Sequence, residues 1–326
     1  MDALSDILKS VRLEGAVYLN AEFSAPWCVQ GECGIPKVKE RMAAAEHVMF
    51  FHFLTEGACK ARLAGSNETV TLVAGDLLLF PQDDRHFLGS DPQIAPMGVG
   101  GMVSAEDMAS GEFVQIRHGG GGPVTRFVCG YLACNRSLSR PLFEALPRML
   151  RIPVGDGPAS SLLRELLRTA VRETLAERPG TESMLSKLSE LLFVEAMRRY
   201  VDALPPEGRG WLSGVRDPHV GRALGLMHAD PSRAWTVDAL AREVALSRSA
   251  LAARFTTLIG EPPIQYLVRW RLALAARSLR TGGDAIARIA EKSGYESEAA
   301  FSRAFKREFG KPPAAWRRSA SVRPVV

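Results

Sequence analysis

A block of about fifty residues occurs twice in the C-terminal third of the chain. Residues of matching chemistry recur at an offset of 49 or 50, and the pairs are Leu240 and Ile289, Ala241 and Ala290, Ser247 and Ser297, Leu251 and Phe301, Phe255 and Phe305, Gly260 and Gly310, Pro262 and Pro312, Pro263 and Pro313, and Tyr266 and Trp316. Such self-similarity is the signature of one supersecondary structure used twice. Any fold assigned to this region must therefore contain two copies of the same local structure.

Each copy of the block predicts a helix, a tight turn and a second helix. In the first copy, the capping residue Thr236 precedes a helical pattern, the pattern breaks at Ala245, and Ser247 then caps the next helix. Gly294 stands at the break in the second copy, and glycine suits the left-handed backbone that such turns often need. A left-handed alanine costs roughly 1 kcal/mol or more, so we expect the turn at Ala245 to differ or to be strained.

Two helix-turn-helix units predict two helices that enter the major groove of DNA. The stretch between them, residues 264–279, predicts a single helix of roughly 25 Å, because an α-helix rises about 1.5 Å per residue. A stiff spacer of this size would set the two reading helices about one DNA turn, roughly 34 Å, apart on one face of the duplex. We interpret Phe255, Phe301 and Phe305 as core residues, and Arg303 as the best candidate for a guanine contact.

Charge is distributed unevenly along the chain. Residues 213–326 carry 19 Lys and Arg against 10 Asp and Glu, whereas residues 1–212 carry 22 against 26. A basic C-terminal third on a mildly acidic body indicates a module that binds a polyanion and is attached to another domain. A solvated basic face is the alternative that charge alone leaves open.

Residues 294–318, GYESEAAFSRAFKREFGKPPAAWRR, resemble the C-terminal signature of the AraC/XylS family of bacterial transcription regulators. The resemblance covers roughly residues 213–320 and implies a DNA-binding domain of two helix-turn-helix units joined by a long helix. It also implies double-stranded DNA, RNA polymerase and a second copy of the chain as partners. By this resemblance, the base-contacting positions are Arg248, Ser249, Ala252 and Ala253 in the first reading helix, and Glu298, Ala299, Ser302 and Arg303 in the second.

Further DNA contacts are expected beside these positions. Arg254, Ser297, Lys306 and Arg307 complete the set of candidate DNA-binding residues. Some of the cations must contact phosphates, which supply affinity but no sequence information. Two alanines at reading positions of the first helix weaken the case for hydrogen-bonded readout there. They either touch thymine methyl groups, or the first helix is the poorer reader.

The N-terminal part of the chain predicts a β-rich domain. Short strand-like runs, separated by Gly, Pro and Asp turns, occupy residues 15–19, 47–54, 58–63, 69–73, 76–80 and 124–132. Closely spaced short strands are typical of a sandwich or a barrel. The segments APWCV, FHFLTEG, GDLLLFPQDDRH and VCGYLACN resemble the cupin-type sensor domain of one AraC subgroup. We therefore expect a cupin-like β-barrel that senses a small effector or a stress signal.

Two motifs raise the question of a divalent metal in the barrel. The segment 75–86 resembles the second cupin motif and ends on His86, and His52-x3-Glu56 retains part of the first motif, with Phe50 in place of its other histidine. Together, His52, Glu56 and His86 would form a reduced site for Zn or Fe. The interpretation that we prefer is that both histidines line an effector pocket. A bound metal would favour the alternative function, a metal-dependent cupin enzyme (a dioxygenase or an isomerase) with a DNA-binding appendage.

Five cysteines in a chain without an export signal indicate reduced thiols rather than a disulfide framework. Cys28 and Cys33 lie in a loop-like segment and are candidates for a redox-sensitive pair, which requires a lowered thiol pKa. Cys129 lies in a strand-like run, and we interpret it as an inert core thiol. Because Cys129-x4-Cys134 repeats the spacing of the first pair, a four-thiolate zinc site is a further alternative, although structural zinc sites more often carry turn-forming glycines.

The segment between the two parts predicts two helices with broad apolar stripes, over residues 159–178 and 181–203, which we expect to pack on the barrel and to form a dimer contact. No window approaches a membrane span and the N-terminus is not a secretory signal, so we expect a cytoplasmic protein. The sequence thus predicts a multidomain transcription regulator and not an enzyme, with its effector and its direction of regulation left open. The predicted domains are a cupin-like sensor domain (1–157), a helical dimerisation segment (158–204), a linker (205–212) and a double helix-turn-helix DNA-binding domain (213–320).

Overall fold

The computed structural model describes residues 2–10, 14–31, 47–98, 114–134, 136–153, 161–174, 178–205 and 207–321. These residues group into two compact units. The barrel unit comprises the described residues of Leu13–Asn135 and Leu146–Tyr200. The helical unit comprises those of Met1–Arg12, Arg136–Ala145 and Val201–Val326, so three separate stretches of the chain contribute to it.

Strands make up most of the barrel unit. Their bounds are β1 Glu14–Ser24, β2 Cys28–Gly31, β3 His47–Glu56, β4 Ala58–Leu63, β5 Val70–Val73, β6 Asp76–Phe80, β7 His86–Gly89, β8 Met97–Gly98, β9 Val114–Gly119, β10 Val124–Cys134 and β11 Leu150–Pro153. They form a six-stranded sheet in the order β11-β6-β3-β10-β1-β9 and a five-stranded sheet in the order β5-β4-β7-β2-β8. Every strand-like run of the sequence corresponds to one of these strands, so the prediction of a β-rich N-terminal domain is confirmed.

Strands from both sheets carry the candidate residues of the barrel. β10 pairs antiparallel with β3, which places Cys129 opposite His52, and β3 pairs in turn with β6, which places His52 opposite Leu78. His86 begins β7 in the other sheet and lies opposite Gly31 of β2. The register of these long antiparallel pairs therefore decides which polar side chains can meet inside the barrel.

The two sheets share one apolar core. Phe23 of β1, Phe80 of β6 and Leu88 of β7 belong to it, and each is at most 1% exposed. The Phe23 ring stacks on those of Trp27 and Phe127, at centroid distances of 4.7 and 5.5 Å. Full burial of a large apolar side chain contributes roughly 1.5–3 kcal/mol, so this cluster is a main source of stability for the barrel unit.

Helices account for the rest of the described chain. Their bounds are α1 Ala3–Ser10, α2 Arg136–Ala145, α3 Ser161–Thr174, α4 Thr181–Ala203, α5 Trp211–Arg216, α6 Pro218–Ala229, α7 Val237–Glu243, α8 Arg248–Ile259, α9 Pro263–Thr281, α10 Ile286–Lys292, α11 Glu298–Phe309 and α12 Pro313–Ser321. Among these described helices, none combines the length and the apolar run that crossing a bilayer would require.

Helix α3 and most of α4 belong to the barrel unit. They bury part of their apolar surface, with Leu167 of α3 and Phe193 of α4 at 2% and 1% exposure. Other apolar side chains of the same helices stay open to solvent, since Leu162, Met184 and Leu191 are 47%, 49% and 44% exposed. About half of each of these apolar residues thus stays in contact with water in the single chain, and neighbouring exposed apolar residues are a feature of contact surfaces.

Helices α1 and α2 pack with the C-terminal helices, although both lie within residues 1–157 of the sequence. Helix α1 contacts α2, α5 and α6, and α2 contacts α5 and α9. Ile7 of α1 and Leu142 and Phe143 of α2 are buried, at 0%, 0% and 3% exposure. The helical unit therefore depends on two elements that lie far from it in the sequence.

Candidate nucleic-acid interface

The first helix-turn-helix consists of α7 and α8. The Thr236 hydroxyl accepts a hydrogen bond from the backbone N–H of Ala239 at 3.1 Å and caps α7, and the Ser247 hydroxyl accepts one from Ala250 at 3.2 Å and caps α8. A cap of this kind contributes about 1 kcal/mol because it satisfies a backbone donor that the helix leaves open. Phe255 is fully buried. The predicted caps and the predicted core residue are confirmed.

The second helix-turn-helix consists of α10 and α11 and repeats the same construction. The Ser297 hydroxyl accepts from the backbone N–H of Ala300 at 3.2 Å and caps α11. Phe301 and Phe305 are fully buried, as predicted. The Trp316 ring packs edge-on against Phe305, and its Nε1–H donates to the carbonyl of Ala276 on α9 at 3.2 Å.

The turns of the two copies share one backbone conformation. Ala245 has a φ of 56°, in the left-handed region, and Gly294 has a φ of 74°. Asp83 is the other described residue besides Ala245 that adopts a positive φ without being glycine. The expected strain at Ala245 is therefore confirmed, and the first copy keeps the turn geometry at the cost of an unfavourable alanine conformation.

Helix α9 joins the two copies. It begins directly after Pro262 and spans 19 residues, or roughly 28 Å of helix. Its buried residues include Tyr266, Leu267 and Leu279. The first copy packs on α9 through α8, and the second through α10 and α11. This agrees with the single spacer helix predicted from the sequence.

The exposed face of α8 carries two arginines, and both have acidic partners. Arg254 donates to the Asp217 carboxylate from Nε at 2.8 Å and from a terminal nitrogen at 2.5 Å. Arg248 lies 3.7 Å from Asp238. Ser249 and Ala253 are exposed and Ala252 is half-buried, so the reading face of α8 presents little free charge.

Asp217 has two roles at once in this arrangement. Its carboxylate accepts hydrogen bonds from the backbone N–H groups of His219 and Val220, at 3.1 and 2.9 Å, and so caps α6. Burial alone would raise the pKa of Asp217, but the hydrogen bonds from Arg254 and from these two amides outweigh it and hold the pKa below its usual value. The ion pair thereby ties Arg254 of the reading helix to the start of α6.

The exposed face of α11 is different, because its cations are free. Arg303, Lys306 and Arg307 are exposed, and no acidic side chain in the described part of the chain forms an ion pair with any of them. Glu298 and Ala299 are also exposed, and Ser302 is half-buried. The second reading helix therefore presents a concentrated positive charge to a ligand.

Inside the barrel unit, two histidines and a thiol form one hydrogen-bonded chain. His86 Nδ1–H donates to the carbonyl of Asp84 at 2.8 Å, so its Nε2 is an acceptor. His52 Nε2–H then donates to His86 Nε2 at 2.8 Å, and His52 Nδ1 accepts from the Cys129 thiol at 2.8 Å. Burial, and to a lesser degree the nearby His86, holds the pKa of His52 well below its usual value, so the His52 ring is neutral.

The structure brings His52 and His86 together but separates them from Glu56. Residues 52, 54 and 56 would share a face in a regular strand, but the pairing of β3 with β10 skips Thr55, so Glu56 lies opposite Arg126 on the exposed side. There it forms an ion pair with Arg126. The ring nitrogens of His52 already bond to other protein groups, and the described residues contain no cluster that could hold a metal. The arrangement does not fit a metal site of His52, Glu56 and His86.

The cysteines of the described chain are free thiols and are buried. Burial is the main cause that raises the pKa of Cys28, with Asp91 adding to it and Arg62 opposing it. A raised pKa disfavours the thiolate on which reactivity depends. Cys33 lies outside the described residues, and the redox hypothesis for this pair stays a prediction.

Comparison with known proteins matches both parts of the chain. Residues 2–202 match a family described as Cupin, and residues 240–319 match one described as a helix-turn-helix domain. A Streptomyces lividans protein, named for its likeness to AraC-type transcription regulators, is 34% identical over 325 residues, which cover 99% of this chain and 100% of that protein. The chain is an AraC-family transcription regulator.

Further relatives of this AraC-family regulator align over almost the whole chain. The HTH-type transcriptional regulator AlkR of Acinetobacter baylyi is 30% identical and covers 98% of this chain and 100% of its own. Among solved structures, the DNA-binding domain of AdpA in complex with a target DNA covers 33% of this chain and 96% of its own, at 29% identity and a TM-score of 0.32. Since its relatives are regulators with a helix-turn-helix domain, this AraC-family protein binds double-stranded DNA and is not an enzyme.

Sequence reasoning missed Asp217 in this AraC-family regulator. The carboxylate lies 37 residues from Arg254, and no local spacing connects the two. A signal for its capping role was present, because an Asp directly before Pro218 at the start of an apolar helical pattern is typical of a helix N-terminus. Its pairing with the reading helix appears only once the helices are packed.

Proposed function

We propose that this regulator binds one DNA duplex with both reading helices and that α11 supplies most of the base-specific contacts. The observation that carries the proposal is the contrast between the two exposed faces. The arginines of α8 are paired, whereas those of α11 have no acidic partner among the described residues. A free guanidinium can bond O6 and N7 of guanine together, and one held by a carboxylate must first break that pair.

The cations of α11 divide between bases and backbone in this proposal. Arg303 lies in the second turn of the helix and contacts guanine, while Lys306 and Arg307, nearer the C-terminal end, contact phosphates. In the first helix, Ser249, Ala252 and Ala253 face the groove and supply hydroxyl and methyl contacts. Arg248 reaches a phosphate, and Arg254 positions α8 through Asp217. Ser297 and Glu298 lie at the start of α11, where Ser297 holds the helix end and Glu298 and Ser302 contact bases.

The proposal is tested with the full-length protein on a duplex that it selects from random sequences. Arg303→Ala should weaken binding about 10- to 100-fold and relax the preference at one base position, because a bidentate base contact is worth roughly 1–3 kcal/mol. The matched control is Arg117→Ala on β9, an exposed arginine of the barrel unit whose removal changes the net charge equally. The control should retain both the affinity and the base preference.

Three outcomes decide between the interpretations. A uniform loss of affinity without a change at any base position would make Arg303 a phosphate contact. No loss at all would remove α11 as the main reader. An equal loss in Arg117→Ala would show that the net charge, and not the face of α11, determines binding.

We also propose the remaining parts of the regulatory cycle. The barrel unit senses a small effector or a stress signal, which the buried polar chain of His52, His86 and Cys129 within an apolar core supports. The exposed apolar residues of α3 and α4 support a homodimer through these helices. RNA polymerase is the further partner of the DNA-bound dimer in this proposal. The regulator acts in the cytoplasm, because it must reach the bacterial DNA there.

A further inference from the structure

Arg271, near the middle of α9, binds the loop directly before the first helix-turn-helix and lies beside the glycine turn of the second. Its Nε–H donates to the carbonyl of Pro231 at 2.5 Å, and a terminal nitrogen donates to the carbonyl of Arg233 at 2.8 Å. These carbonyls lie in the loop between α6 and α7, a few residues before the Thr236 cap. The guanidinium is thereby fixed to the start of the first helix-turn-helix.

The loop that receives Arg271 is itself held firmly. The Asp230 carboxylate accepts from the Arg233 backbone N–H at 3.2 Å and from the Ser232 hydroxyl at 3.0 Å. The Asp230 carbonyl accepts from the indole N–H of Trp235 at 2.9 Å. A cation bound to carbonyls of such a loop cannot move without the helix-turn-helix that follows it.

The other side of the same guanidinium covers the turn of the second helix-turn-helix. A Cβ placed on Gly294 would lie 3.0 Å from the Cζ of Arg271 and 3.1 and 3.2 Å from its terminal nitrogens. Gly294 is held in its left-handed conformation by the bond from its own N–H to the Glu291 carbonyl at 2.8 Å. The next residue, Tyr295, packs its ring edge-on against Phe301 in the core of the second copy.

We infer that Arg271 is the positioning residue that sets the angle between the two reading helices. It works through its planar fork, which bonds two carbonyls of the loop that leads into the first copy while its face lies against the glycine turn of the second. Lysine keeps the charge but has neither the fork nor the flat face, so it cannot make both contacts. This inference rests on the proposed binding of both reading helices to one duplex.

The angle between the reading helices can be tested by measuring how DNA affinity depends on the number of base pairs between the two half-sites. DNA turns once in about 10–10.5 base pairs, so each inserted base pair rotates one half-site by roughly 35° relative to the other. The test uses the full-length protein and the selected duplex, together with derivatives that carry one scrambled half-site or two inserted base pairs between the half-sites. A rigid wild-type protein should lose about 10- to 100-fold in affinity on the insertion, since it can no longer engage both half-sites.

Arg271→Lys should weaken binding to the intact duplex about tenfold, because coupling between the two half-sites is lost. The penalty for the insertion should fall below about threefold, and affinity for duplexes with one scrambled half-site should stay within about twofold of wild type. Gly294→Ala should give the same pattern, because its Cβ pushes against the guanidinium. The matched control is Arg269→Lys, which changes another arginine of α9. Arg269 pairs with Glu261, in the loop between α8 and α9, at 2.5 Å. This variant should keep the full insertion penalty.

Three results would contradict either the role of Arg271 or the proposed binding of both reading helices, and they can be told apart. An unchanged insertion penalty in Arg271→Lys overturns the inference and leaves the proposed function intact. Loss of binding to the single half-sites as well would mean that Arg271 maintains the fold and not the angle, which also overturns it. A wild-type protein that binds the intact duplex no better than a single half-site removes the proposed two-helix binding, and this inference with it.

Discussion

The two helix-turn-helix units have the same backbone and different chemistry. Both begin their reading helix on a serine cap, both bury a phenylalanine at the centre, and both end that helix on a left-handed glycine, Gly260 or Gly310. Yet α8 pairs Arg254 with Asp217, whereas Arg303 of α11 is exposed and forms no ion pair within the described parts of the chain. Caps and core residues determine where a reading helix lies, and the exposed residues, together with what pairs with them, determine what it can bind. The duplication therefore specifies the same scaffold twice, whereas the charge on its exposed face differs between the two copies.

The cores behind the two reading helices also differ in their response to acid. In the first copy, Tyr266 binds His228 Nε2 at 2.8 Å, and the His228 ring stacks on Trp270 at 3.9 Å. At the equivalent place in the second copy, Trp316 donates to a backbone carbonyl. Of these two arrangements, the first alone includes a group whose ordinary pKa lies near neutral pH, and burial shifts that pKa, so the difference can be measured.

The largest effect is expected from lowering the pH. Burial lowers the pKa of His228 to about 3 from the usual 6.5, so the unfolded state binds the proton more readily and stability falls as the pH drops below 6.5. Between pH 7 and pH 5 the free energy of unfolding of the region 211–281 should fall by about 2 kcal/mol, since one pKa unit corresponds to about 1.4 kcal/mol. Hydrogen exchange of peptides from this region, compared with peptides from 286–321, measures the loss locally.

His228→Gln is the control for this prediction, because glutamine can still bond Tyr266 but does not titrate. The variant should be less stable at pH 7 and should lose most of the difference between pH 7 and pH 5. If its pH dependence equals that of the wild type, other groups cause the acid sensitivity of the first copy.

Replacing each turn residue by its counterpart in the other copy should change stability in opposite directions in the two copies. Ala245→Gly should stabilise the first copy by about 0.5–1 kcal/mol, because glycine removes the left-handed strain but adds entropy to the unfolded chain. Gly294→Ala should destabilise the second copy by about 1–2 kcal/mol from the backbone conformation alone. Hydrogen exchange of peptides from 237–259 and 286–309 follows each copy separately. Equal effects of the same sign would show that the two turns are not equivalent.

The smallest effect is expected from the ion pair of the first reading helix. Arg254→Ala should cost only about 0.5 kcal/mol of stability, because the arginine is half-exposed and such pairs are weak in water. Asp217→Ala should cost more, about 1–2 kcal/mol, because it also removes the cap of α6. Neither should change base preference when binding to the selected duplex is measured. A changed preference in Arg254→Ala alone would make Arg254 a reading residue.

Much of the C-terminal fold could be predicted because its determinants are local. The Ser247 and Ser297 caps lie three residues from the amides that they bind, and the strain at Ala245 followed from comparison with one position, Gly294. The barrel was harder. The likeness to the first cupin motif grouped Glu56 with His52, and a single skipped residue, Thr55, moved Glu56 to the other face of β3. A bulge reverses every inference from alternation beyond it.

By itself, the sequence determined that this protein carries two helix-turn-helix units of the same construction on one spacer helix, preceded by a β-rich domain. Periodicity, capping and repetition act between near neighbours, so the sequence records them. Only the tertiary structure decided which cations of the reading helices pair with acidic side chains and which distant helices complete the helical unit. It joined Arg254 to Asp217, Arg271 to the loop before α7, and α1 and α2 to the helical unit. These contacts join residues tens to hundreds of positions apart, and such partners are chosen by packing, which no local pattern records.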